Sequence, residues 1–362
     1  MKQTLSCYKK FREVFLLTYR NFVRPLDVVS LLWKRYQYFE KKTDRTSVIH
    51  TRATLDLFVD VVNSLTPMDL EQGMVTKVRD CIYYLVNNGE ILNALKARKG
   101  LIVKYSVRVK LLCPKPTPVS LAITAEGQTL LQWSATSIAQ QMTLLDSELF
   151  RQLEPAELLL WAREQTEDLC PALNNFTEHF NKVSYWARSK VLTCVTSRER
   201  NRTMKKLIEV MRKLREYSNF NSLLAVLAAL DSAPIRRLGF SRRLTEALKP
   251  HAALTDSSGS FRTYRLALSE SKPPCIPYIG LVLQDLTFVH IGNVDFLADG
   301  KVNWIKRWQQ WVVLEPIRRF HSCQYGFIRN DSLLAFLNNF DESLNDDELW
   351  HLSEQIKPRS KN

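Results

Sequence analysis

The chain has 362 residues, 45% of them hydrophobic and 24% charged, a balance that folds and excludes a disordered tail. Its 51 Lys and Arg outnumber 37 Asp and Glu, and the formal charge of +14 implies an acidic partner: a protein face, an anionic leaflet or nucleic acid. The ten glycines form no G-x-G-x-x-G and no G-x-x-x-x-G-K-[ST], which excludes the usual phosphate-cradling loops, so the chain is not expected to bind a nucleotide itself.

The length suggests two domains, and the pattern along them is helical. "RPLDVVSLLWKRY" places Pro25 in a first helical turn, with Leu26, Val29, Trp33 and Tyr36 along one stripe. Helix follows around "LDLFVDVVNSL" and "VRDCIYYLVNN", the latter stopping at Gly89 or soon after. In "CPKPTPVSLAITAEG" three prolines between residues 114 and 118 block regular structure, which sets a domain cut near 115 to 130. Helix resumes with "QMTLLDSELF" and with "LEPAELLLWAREQ", where Pro155 suits a start.

"RNRTMKKLIEVMRKLREY" spaces Met204, Leu207, Ile208, Met211 and Leu214 as the inner face of an amphipathic helix with a basic outer face. In "NFNSLLAVLAALDSAPIRRL", residues 222 to 230 are apolar on every side and require burial all round, with Asn221 as cap and Pro234 just past the end. The polar exit, Asp231 to Arg237, is where a site would form on a rigid support. "PYIGLVLQDLTFVHIGN" holds one acid and no Lys or Arg. Its "LTFVHI" suits a strand, but Pro277 at one end and Gly292 at the other favour a helix of about four turns. "DGKVNWIKRWQQWVVLEPIRRF" then gives a second helix with Ile305, Trp308, Val312 and Ile317 near one face, kinked or ended by Pro316, and the two form an αα-hairpin.

Candidate chemistry is sparse. Seven scattered cysteines without a C-x-x-C pair read as buried thiols of a reducing compartment. The start lacks the apolar core of a signal peptide, and no uncharged apolar run reaches the ~18 residues that span a bilayer, so a cytoplasmic location is expected. Six isolated histidines, no H-E-x-x-H and no G-x-S-x-G point to no metal, no cofactor and no hydrolase. Acidic clusters such as "NDDEL" read as helix starts.

Three blocks, "NFNSLLAVLAALDSAPIRRL", "PPCIPYIGLVLQDLTFVHIGN" and "GKVNWIKRWQQ", resemble successive signatures of the catalytic domain of Ras-family guanine-nucleotide exchange factors. "FLLTYRNFVRPLDVVSLLWKRY" is similar to the Ras exchanger motif that precedes that domain. "QDLTF", "FTEHFN" and "RWQQ" resemble the Rap-directed members, nearest to the one that binds the Crk adaptor. The resemblance implies an all-α protein of two helical domains: an exchanger motif at 1–113, a Pro-rich linker at 114–133 and a catalytic domain at 134–362 with a protruding hairpin.

It implies exchange without covalent chemistry, in which the hairpin wedges aside the first switch of a GTPase while the domain grips the second. Asp285, Thr287, Phe288, Ile291 and Asn293 fall on the first hairpin helix as the wedge residues. Thr177, Glu178, Asn181, Leu224, Asp231, Ala233, Arg236, Phe261, Tyr264 and Tyr278 match the second-switch surface. Ile291 stands where many relatives have an acid, which leaves steric occlusion in place of phosphate mimicry. Val294 in place of a usual proline, Trp304 in place of phenylalanine, and Pro316 favour an altered hairpin angle, and with it the alternative of a weak or inactive GTPase-binding regulator. The expected partner is a Rap-type GTPase, with R-Ras as a further candidate and the basic faces meeting an anionic membrane. Nucleic acid is the rival that rests on charge alone. No proline-rich recruitment segment is recognised, so adaptor binding is not expected to be encoded here.

Overall fold

The computed structural model describes residues 2–112, 129–166 and 169–358. Among them regular structure is helical throughout, and the only β pairing is two isolated bridges. The helices in order are α1 (Lys2–Thr18), α2 (Pro25–Glu40), α3 (Arg45–Ser64), α4 (Gln72–Asn87), α5 (Ile91–Leu112), α6 (Ala135–Phe150), α7 (Pro155–Glu164), α8 (Pro171–Leu192) and α9 (Ser197–Glu216). There follow α10 (Phe220–Leu230), α11 (Ala233–Arg236), α12 (Arg242–Ala252), α13 (Arg262–Glu270), α14 (Ile279–Gly292), α15 (Trp304–Val313), α16 (Glu315–Phe320), α17 (Asp331–Leu337) and α18 (Asp346–Ile356). The all-α expectation is met. The cut placed near 115 to 130 lies mostly outside the described residues, and no described helix is long and apolar enough to cross a membrane.

Two compact units emerge, each drawn from three stretches of chain. The first takes residues 1–119, 154–170 and 284–314. Its core centres on α2, α3 and α4: Trp33 lies against Tyr36, Phe58 and Tyr84 at ring separations of 5.2, 5.4 and 5.4 Å. Of the predicted α2 stripe, Val29, Trp33 and Tyr36 are buried, whereas Leu26 is exposed because it falls in the first turn, before the helix reaches the core. Glu40 ties α2 to α4 by accepting from Tyr84 Oη at 2.9 Å and Asn88 Nδ2 at 3.1 Å.

The second unit takes residues 120–153, 171–283 and 315–362 and is organised around α10. The run 222–230, apolar but for Ser222 at its start, is buried as expected except at Ala228, with α6, α8 and α9 packed around it. Asn221 is not its cap. It is buried within the helix, and Asn219 caps instead, its Oδ1 accepting from Ser222 N at 3.2 Å. The basic helix α9 has the predicted inner face, with Met204, Leu207, Ile208, Met211 and Leu214 all buried. "NDDEL" opens α18 through a capping box between Asn345 and Glu348. Four of the described cysteines are buried free thiols; Cys323 is half-buried.

Candidate functional site

The stretch that closes at Gly292 is α14, a helix, as its flanks indicated; it starts at Ile279, two residues after Pro277. Ile279, Leu281, Val282, Leu283 and Leu286 are buried, so the first half of the helix is core. Beyond Leu286 the apolar character continues without burial: Phe288 is 63% exposed and Ile291 76%. Asp285 and Thr287 are half-buried, and Asn293 donates from Nδ2 to the Val289 carbonyl at 3.0 Å, which ends the helix.

The second hairpin helix inverts the usual pattern. Ile305, Trp308 and Val312 of α15 do share a face, but it points to solvent, with Ile305 69% exposed. Ile317 is buried on the separate helix α16, because α15 ends at Val313, ahead of Pro316. The inward face of α15 carries Lys306, Arg307 and Gln310, all buried.

Such a face is stable only when every charge has partners. Lys306 Nζ donates to the Asn293 carbonyl at 2.7 Å and the His290 carbonyl at 3.1 Å, and sits 2.9 Å from Asp295 Oδ1. It thereby satisfies carbonyls that the end of α14 leaves without intrahelical donors. Arg307 pairs with the same Asp295 oxygen and donates to Gln310 Oε1 at 3.0 Å. Gln310 Oε1 also accepts from Asn21 Nδ2 at 3.2 Å, and Trp304 stacks on Phe11 at 4.3 Å, so α15 is anchored on both sides of its first turns. The connecting loop is closed by a bridge between Phe296 and Val302.

Burial alone would raise the Asp295 pKa; hydrogen bonds from Lys306 and Arg307 outweigh it and hold the carboxyl below its ordinary value. A depressed folded pKa contributes stability above the unfolded value of about 3.9 that is lost as pH falls through the folded value. Asp295→Ala, which leaves two buried cations short of their shared anion, should cost about 3 kcal/mol. Urea unfolding should show that loss at pH 7 and a smaller one in strong acid.

In the second unit, Thr177, Glu178 and Asn181 are exposed on successive turns of α8, and Glu178 pairs with Lys182 at 3.0 Å. Leu224 is buried on α10, which packs on α8. Asp231, Ala233 and Arg236 are exposed at the exit of α10, the two charges 3.7 Å apart. The expected polar loop there is partly a short helix, α11, begun by Pro234.

Tyr264 is buried and its hydroxyl accepts from Tyr278 N at 2.8 Å, while the Tyr278 ring lies 5.5 Å from Phe180 of α8. Burial pushes both phenols above their ordinary pKa. Phe261 is half-buried with left-handed backbone, φ 59°, next to Ser260 at φ 53°, a strain of about 1–3 kcal/mol per residue. Gly280 was not singled out by the sequence, yet a Cβ there would strike the Tyr278 ring. The buried cluster of Asp146, His179 and Asn219 behind α8 was also missed; His179 inside the exposed "FTEHFN" turn is the residue that signals it.

A family model described as the RasGEF domain matches residues 137–308. Human Rap guanine nucleotide exchange factor 1 is 44% identical over 350 residues, covering 96% of this chain and 32% of that protein. Guanine nucleotide-releasing factor 2 of Drosophila melanogaster is 42% identical over 375 residues, 97% of this chain and 24% of that protein. Ras guanine nucleotide exchange factor P of Dictyostelium discoideum is 28% identical over 374 residues, 96% of this chain and 25% of its own. The chain thus spans about a quarter to a third of the length of these relatives. With the domain model running from α6 into α15, residues 137–308 match the RasGEF domain, and nearly the whole chain is similar to a part of proteins named as Ras and Rap exchange factors.

Proposed function

We propose that the chain accelerates GDP release from a small GTPase of the Rap class, without covalent chemistry, by inserting the α14–α15 hairpin beside the first switch. The observation that carries this reading is the exposure of large apolar side chains on both helices, Phe288 and Ile291 on α14 and Ile305, Trp308 and Val312 on α15. A soluble domain leaves so much apolar surface uncovered where a partner is to cover it. The inward clasp on Lys306 and Arg307 supports the same reading, because a wedge must be stiff to do work on its partner.

Asp285, Thr287, Phe288, Ile291 and Asn293 are the wedge residues in this reading. Thr177, Glu178, Asn181, Asp231, Ala233 and Arg236 meet the second switch directly, being exposed. Leu224 and Tyr264, both buried, shape that surface from beneath, while the half-buried Phe261 and Tyr278 stand at its edge. No group in the set transfers a proton or a bond. The drive is linkage: a protein that binds the empty GTPase more tightly than the loaded one weakens nucleotide binding by the same factor. An anionic leaflet belongs to the same proposal as a peripheral partner of the basic faces.

The test is release of labelled GDP from Rap, R-Ras, Ras and Ral with the purified chain, beside capture of nucleotide-free and GDP-loaded Rap. Faster release from Rap and preferential capture of the empty form are expected. Equal capture of both forms would refute the linkage. A second reading, a binder that has lost exchange, is favoured by Val294, exposed at the hairpin turn, and by the break at Pro316. Capture of empty Rap with unchanged GDP release would select it.

A further inference from the structure

We infer that the outward face of α5 is a docking surface for an anionic lipid bilayer. This deepens the leaflet expectation by assigning it a surface, and it is independent of exchange. Helix α5 packs on α3 and α4 through Ala94 and Ala97, both buried, with Gly100 set against Asn63 of α3. An ordinary surface helix would be polar on its other side. Here the opposite stripe is Leu92, Leu95 and Lys96, Lys99, then Ile102 and Val103, spaced i, i+3, i+4, i+7, i+10, i+11. All six are exposed, Leu92 by 74%.

Among the described residues, neither Lys96 nor Lys99 has an ion-pair partner. The 22 residues of α5 include no Asp or Glu at all. Apolar side chains reaching outward between unpaired lysines, with no acid to repel a phosphate, is the chemistry of a helix lying in a headgroup layer. The lysine stems reach past the leucines and keep their ammonium groups at the headgroups.

Charge alone would have chosen α9, but α9 neutralises part of its outer face itself. Lys205 lies 3.7 Å from Glu209 and Lys213 2.7 Å from Glu216, and its apolar residues are turned inward. A nucleic acid would use the lysines and have no use for the leucines. A second copy of the chain would meet a face of its own positive sign.

The experiment is co-sedimentation of the whole chain with phosphatidylcholine vesicles containing about 30% phosphatidylserine, and with phosphatidylcholine alone. Binding is expected only to the anionic vesicles. At about 1 kcal/mol per lysine near such a surface, Lys96→Gln with Lys99→Gln should weaken it about thirtyfold. Leu92→Asp with Leu95→Asp should weaken it more than tenfold with an unchanged melting temperature, since neither side chain is packed. Arg202→Gln with Lys205→Gln on α9 should change it less than threefold.

No binding to anionic vesicles would sink both the surface and the leaflet expectation. Binding lost through the α9 pair and kept by the α5 pairs would sink the assignment only. Sensitivity to the lysines without the leucines would overturn it in favour of a purely electrostatic ligand such as nucleic acid. A dimer by sedimentation equilibrium that the leucine variant dissolves, with vesicle binding unaffected, would overturn it in favour of self-association.

Discussion

Asp146→Ala is expected to destabilise the second unit by about 3–5 kcal/mol, the largest stability loss that any single side chain discussed here should produce. Asp146 is 0% exposed on α6. Its carboxylate accepts from Asn219 Nδ2 at 2.7 Å and Ser222 Oγ at 2.5 Å, and lies 2.7 Å from His179 Nε2. Two donors, at the head of α10 and within it, and the close approach of the α8 imidazole thus converge on one side chain in a core that admits no replacement solvent.

Truncation strands them, and a stranded buried polar group costs the whole of its desolvation, not the net worth of one bond. Asp146→Asn keeps an acceptor in place and should cost less. Urea denaturation measures both; a loss under 1 kcal/mol for the alanine variant would mean that the cluster is incidental. The effect should reach function, because His179 sits on the inner side of the α8 turn that displays Thr177, Glu178 and Asn181. A loosened turn should weaken capture of the empty GTPase before the unit unfolds.

The same cluster marks where local pattern stops being informative. The apolar run 222–230 announced a buried helix, and the structure buries it. The choice between Asn219 and Asn221 as cap needed knowledge of what lay opposite: Asp146, more than seventy positions upstream, holds Asn219 at the helix start. Asn221 instead passes into the core. In α15 the periodicity was legible and its direction was not. Apolar residues at 305, 308 and 312 marked a shared face, and the pairing of Lys306 and Arg307 with Asp295 is what turns that face outward.

The grouping of residues 284–314 with the N-terminal helices was likewise invisible, since it rests on contacts such as Phe11 with Trp304, nearly three hundred positions apart. The resemblance located the candidate site because its residues lie in short blocks. The supports of that site, Gly280, Lys306 and Asp146, act through neighbours that no block contains.

The second large effect is on exchange itself. Thr287→Arg and Ile291→Arg, one turn apart on α14, are each expected to lower the rate of GDP release by at least a hundredfold, about 2.7 kcal/mol of the barrier, while leaving the melting temperature unchanged. In the proposed complex this turn enters a cleft from which water is expelled, and an arginine with no anion waiting for it brings a hydration shell whose loss costs several kcal/mol. Ile291 is the cleaner of the two. At 76% exposure it supports nothing in the free protein, so whatever its substitution removes is removed from the complex. Ile291→Ala, which shortens the wedge without charging it, should reduce the rate by less than the arginine does. Arginine variants that release GDP at the parent rate would show that the exposed end of α14 never enters the GTPase, and occlusion beside the first switch would have to be given up.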